Sequence, residues 1–98
     1  MASLADFVVC AGRGQLAGGT LTIKNSEIQL GDCVIAQRTT GEGATFVAGT
    51  NFVGVATAGQ VKFDSLTLAN PSALVATDTS TFAYIIVRQT NAYGVYSV

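Results

Sequence analysis

Residues Asp78 to Arg88 read Asp-Thr-Ser-Thr-Phe-Ala-Tyr-Ile-Ile-Val-Arg. A polar turn is followed by an apolar run from Phe82 to Val87. As a strand, the run points Phe82, Tyr84 and Ile86 one way and Ala83, Ile85 and Val87 the other. Both faces are apolar. Such a strand belongs in the middle of a core, or between a core and another subunit. The β-branched and aromatic residues favour strand over helix. Arg88 returns the chain to water. The rest of the chain has to supply cover for this strand.

With 98 residues the chain is sized for one domain, here read as residues 1–98. Its core is modest. Charged residues make up only 11%, against roughly 25% in ordinary soluble domains. Their place is taken by Thr, Ser, Asn, Gln and Gly rather than by a run of the roughly 20 apolar residues that span a bilayer. So few charges leave little to hold surfaces apart. Assembly into an oligomer or larger particle accounts for that deficit; a monomer coated with neutral polar groups is the plainer alternative. The cations Arg13, Lys24, Arg38, Lys62 and Arg88 are dispersed along the chain and the net charge is −1. No basic cluster marks a nucleic-acid surface. No membrane partner is expected. Cys10 and Cys33 lie in apolar strand-like runs and read as free, buried thiols of a reducing cytoplasm, with a disulfide left open. The N-terminus lacks the basic start and long apolar segment of a signal peptide.

Along the chain, short strand-like runs alternate with Gly, Asn and Ser turns. Phe7–Cys10 reads as the first strand, and Gly12-Arg13-Gly14 as a flexible turn. That turn lacks the third glycine of a dinucleotide fingerprint and the Lys-Ser/Thr ending of a phosphate loop. Thr20–Lys24 and Glu27–Leu30 alternate, and Cys33–Gln37 is apolar. Arg38 to Thr50 has no pattern. It is either a contact loop on a rigid scaffold or a plain connection. Asn51–Thr57 resumes the strand pattern, with Gly54 marking a bulge or a close approach. Val61–Asp64 and Leu66–Leu68 alternate across a register break near Ser65. Ala92–Val98 reads as a last strand or a docked tail. No ten-residue window has a helical period. The expected fold is all-β: one small antiparallel sandwich or barrel, jelly-roll-like.

Catalytic groups are scarce. The chain has no histidine, which removes the usual general base, the Ser-His and Cys-His pairs and the commonest metal ligand. The two cysteines have no zinc-ligand spacing. Glu27, Asp32, Asp64 and Asp78 look like turn or solvent-side carboxylates. Asp78 in particular can accept hydrogen bonds from the amides of Thr79 or Ser80 and set the turn. The chain reads as non-enzymatic, with no catalytic residues, cofactor or metal. A small hydrolase working through Asp64 and Asp78 is the remaining enzymatic reading. Phe82, Tyr84 and Ile86, or the opposite face of the same strand, are the candidates for a subunit contact. Arg38, Glu42, Tyr93 and Tyr96 are the candidates for touching a partner.

Two segments carry a resemblance. Residues 78–87, Asp-Thr-Ser-Thr-Phe-Ala-Tyr-Ile-Ile-Val, resemble the closing strand of small β-structured virion proteins of tailed bacteriophages. Residues 19–23, Gly-Thr-Leu-Thr-Ile, resemble an entry strand of the same group. That group includes capsid decoration (cement) proteins and trimeric fibre-tip domains. The resemblance covers about a third of the chain, and residues 38–50 match nothing in it. It implies a structural protein on the capsid surface, made in the host cytoplasm. Its partners would be itself, as a homotrimer, and the major capsid protein. A fibre-tip module that binds a host-surface glycan through its loops and Tyr93 or Tyr96 is the alternative. The lack of an N-terminal shaft or coiled coil favours the decoration protein.

Overall fold

A computed structural model describes residues 6–39 and 43–89. The described chain is all β. Its strands are β1 (Asp6–Gln15), β2 (Thr20–Lys24), β3 (Cys33–Thr39), β4 (Thr50–Thr57), β5 (Gln60–Thr67) and β6 (Thr81–Gln89). They form two three-stranded antiparallel sheets, ordered β1-β6-β3 and β2-β5-β4. The strand singled out above is thus the central strand of its sheet, and β5 is the centre of the other.

The two sheets share one core, and its centre is aromatic. From β6, Phe82 meets Phe63 of β5 at 4.5 Å between ring centroids and Phe52 of β4 at 5.1 Å. Tyr84 meets Phe63 at 5.4 Å. Tilted contacts at these distances are the favoured geometry for aromatic pairs. Leu16, Ile28, Ala56, Val61 and Ile86 complete the buried set.

Glycines opposite these rings let them lie close. Gly12 pairs with Tyr84 and Gly14 with Phe82 across β1 and β6; Gly54 pairs with Phe63 across β4 and β5. A Cβ on Gly14 would sit 2.8 Å from Phe82 Cζ, and one on Gly54 would sit 2.9 Å from Phe63 Cε1. Each ring therefore occupies the space beside its cross-strand glycine, and a side chain there would displace it. This corrects the reading of Gly12-Arg13-Gly14 as a flexible turn. β1 runs straight through them, and the glycines are packing positions within the strand.

Three other expectations are corrected. Residues 27–30 form turns rather than a strand, because Asn25 and Asp32 bind the backbone locally. The Glu27 amide donates to Asn25 Oδ1 and the Gln29 amide to Asp32 Oδ2. Such bonds compete with ladder formation. Second, β5 has no break at Ser65. Val61, Phe63 and Ser65 all point inward in continuous register, while Leu68 is exposed. Third, Cys33 is exposed, whereas Cys10 is half-buried; both thiols are free.

Candidate functional site

β6 is held at each end by an arginine–aspartate pair. At its start, Asp78 is fully buried. Its Oδ1 accepts from the Ser80 amide at 3.0 Å and from the Ser80 hydroxyl at 2.5 Å. Its Oδ2 accepts from Ser65 Oγ at 2.5 Å and from Arg38 Nη2 at 2.8 Å. Arg38 comes from β3 and Ser65 from β5, so one carboxylate ties both sheets to the entry of β6. Its backbone carbonyl also accepts from the Gly19 amide at 3.1 Å. Gly19 has φ +83°, and a Cβ there would run into the Val75 carbonyl. Glycine is required at that turn by conformation and by space together.

The Arg38 guanidinium also donates to Thr50 Oγ1 at 2.9 Å and Ser65 Oγ at 3.1 Å. Its Cζ lies 5.0 Å from the Phe46 ring centroid and 5.1 Å from that of Phe52. Burial pushes the Asp78 carboxyl up. The hydrogen bonds from Ser65, Ser80 and Arg38 outweigh it and hold the group down at about 2. Asp78 is therefore an ionised, internally neutralised group with no surface to offer a substrate. Its chemistry is positional.

At the far end of β6, Arg88 Nε and Nη2 each donate at 2.8 Å to one oxygen of Asp32. Nη2 also donates to the Glu27 carbonyl at 2.7 Å. This bidentate fork is the strong form of the pair. The Arg88 hydrogen bond is the main reason the Asp32 carboxyl sits below the usual range; burial opposes it, and the Gln29 amide and the Arg88 charge assist. Arg88 thus clamps the 27–32 turns instead of simply returning the chain to water. Asp64 accepts from Thr20 Oγ1 at 2.6 Å and lies 3.8 Å from Lys62 Nζ. Among the described residues no group of three metal-ligating side chains comes together.

The structure also places the residues expected to make contacts. Phe82 and Ile86 have no exposed surface, and Tyr84 packs against the same core. They are the inner face of β6, so Phe82 and Ile86 are corrected as subunit-contact candidates: both side chains are spent on the other sheet. Arg38 is likewise engaged inside the Asp78 network. Glu42, Tyr93 and Tyr96 lie outside the described residues.

The opposite face of β6 is the one left open. It forms the middle of a grid set by strand register: Val8–Val87–Cys33, then Ala11–Ile85–Ile35, then Arg13–Ala83–Gln37, then Gln15–Thr81–Thr39. The first two rows are wholly apolar. Val8 is 54% exposed and Ile35 55%. A shallow depression of about 350 Å³ is lined by Ala11, Ile35, Gln37, Ala83 and Ile85 together with the strand at Ala36 and Tyr84. The outer face of the other sheet differs. Its rows are Thr20–Asp64–Val53, Thr22–Lys62–Val55 and Lys24–Gln60–Thr57, so it carries three charges. Sequence alternation alone could not reveal this contrast, because it depends on which strands become neighbours.

No family model, curated protein or solved structure matches the chain.

Proposed function

We propose that this chain is a non-enzymatic structural protein that works by assembly, a capsid decoration protein of the tailed-phage type that residues 78–87 and 19–23 resemble. The observation that carries the reading is the outer face of β1-β6-β3. Two full cross-strand rows there are apolar and uncharged, while the opposite outer face carries Lys24, Lys62 and Asp64. A contiguous apolar patch bordered by polar residues is what a protein contact surface looks like. The rigid elements beneath it serve that use: the aromatic core and the two Arg–Asp clamps keep β6 in place. The domain would act passively, burying area against itself and against shell subunits. Many weak contacts on a repeating lattice then add through avidity.

The test is co-sedimentation of the purified protein with shells that lack it, and with intact particles' tails as the comparison. Saturable binding to shells is the expected result. Absence from both fractions at protein concentrations of about 100 µM, a range in which weak contacts of this size still register, overturns the reading. Ile85→Lys, which places a charge at the centre of the face, should abolish the binding.

A further inference from the structure

The outer face of β1-β6-β3 is complementary to itself, and we propose that its occupant is a second copy of this chain, stacked back to back about a two-fold axis along β6. The proposal rests on the assembly reading above and names the partner and the geometry.

The register supplies the argument. A two-fold axis lying in the interface, parallel to β6, exchanges β1 and β3, so each row meets itself in reverse. In the second row, small Ala11 comes to face the protruding Ile35 of the second copy, and Ile35 faces Ala11. Ala11 also lines the depression, so Ile35 from the second copy has space to enter. In the first row, Val8 faces Cys33 and Cys33 faces Val8. In the third, Arg13 faces Gln37, a donor against an amide oxygen, rather than another arginine. The two arginines stay on opposite edges of the stack, roughly two strand spacings (about 10 Å) apart across the sheet. In a two-fold contact only residues on the axis meet their own copies; the only charge in the four rows, Arg13, lies off the axis and is matched to a neutral acceptor. An aligned sheet-on-sheet stack is an ordinary packing for such faces.

Area sets the strength. Three strands about 4.8 Å apart and four rows about 7 Å apart give a footprint of roughly 400 Å² per copy. A stable dimer commonly buries about 800 Å² per partner. An interface of about half that size makes a weak, concentration-dependent dimer. This differs from the homotrimer implied by the resemblance, because a three-fold contact would not set the face against itself.

The experiment uses the full chain. Sedimentation equilibrium over a dilution series should show monomer and dimer, and Ile35→Lys should weaken the dimer at least about ten-fold without lowering the thermal midpoint. In the variant Val8→Cys with Cys10→Ala, a thiol-to-thiol crosslinker about 10 Å long, the spacing of stacked sheets, should join Cys33 of one copy to position 8 of the other. Within one copy these positions flank β6 at a similar distance, but a link there leaves a single chain on the gel. Two interchain links close the symmetric pair, so a denaturing gel should stop at two chains. A ladder of higher species, or a trimer by light scattering, overturns the two-fold stack while leaving the assembly reading intact. A single-chain species throughout the series also overturns the stack, and shell co-sedimentation then decides the assembly reading separately.

Discussion

Replacing Asp78 with Asn tests the largest structural claim, that one buried carboxylate holds both sheets to the entry of β6. The change keeps volume and removes one charge. Arg38 Nη2 loses its 2.8 Å ion pair, and Ser65 Oγ loses its charged acceptor. Among the described residues no other carboxylate pairs with Arg38. Removing one partner of a buried pair costs about 3–5 kcal/mol. Arg38 keeps some solvent contact and its stacking on Phe46 and Phe52, which places the loss near the lower end, at about 3 kcal/mol. For a domain of this size that is a fall of roughly 15 °C in the thermal midpoint. Circular-dichroism melts at fixed protein concentration and neutral pH measure it. Adding Arg38→Met to Asp78→Asn should recover at least about 1 kcal/mol, because the stranded cation is removed and its stacking partly kept. A drop below about 4 °C, or no recovery in the double variant, refutes the reasoning.

The same residue carries a pH signature. Its folded value of about 2 lies below the ordinary carboxylate range, so the unfolded chain takes up its proton first as pH falls. The stabilisation is complete above about pH 4 and drains away between about pH 4 and pH 2, for a total of about 2 kcal/mol. Asp78→Asn should lack this part of the acid slope.

Two further outcomes follow from the packing. Gly54→Ala should destabilise by roughly 1–3 kcal/mol, since its Cβ would sit 2.7 Å from Val34 Cγ1 and 2.9 Å from Phe63 Cε1; a denaturant melt unchanged from the parent would show that the ring does not need this gap. Exposed Cys33 should react with a thiol reagent well before half-buried Cys10, whose thiol is pushed up by burial and then by the Asp32 charge. Equal rates in the native protein would contradict the burial.

Much of the fold was legible in the residues. Thr20–Lys24 alternates and is β2 over the same span. The run after Thr81 has two apolar faces and is the central strand of its sheet. Among the described residues, the turns at Asn25-Ser26 and Asn70-Pro71-Ser72 fall between strands. The errors share one cause. Gly12 and Gly14 looked like turn residues because glycine's local permissiveness is visible in sequence, whereas a ring lying beside it from another strand is not. Ser65 looked like a break because a polar residue interrupted an apolar alternation, yet it is the inward residue that binds Asp78 and Arg38. The sequence marks Asp78 as a turn-setting carboxylate, and the Ser80 amide does bind it. The arginine 40 positions upstream in sequence left no local signal.

By itself the sequence determined what is local and periodic: strands instead of helices, an apolar two-faced segment, and a turn set by Asp78. Backbone sterics and side-chain alternation act over a few residues, so they can be read from a few residues. Only the tertiary structure decided which face of β6 became core. Both faces are apolar, and the choice depends on which partners lie across from each. Phe63 and Phe52 of the second sheet claim Phe82, while the glycines of β1 and β4 make room for the rings. The same pairing left Val8, Ala11, Cys33, Ile35, Ile85 and Val87 on the outside. That face exists only once three strands far apart in sequence are laid side by side.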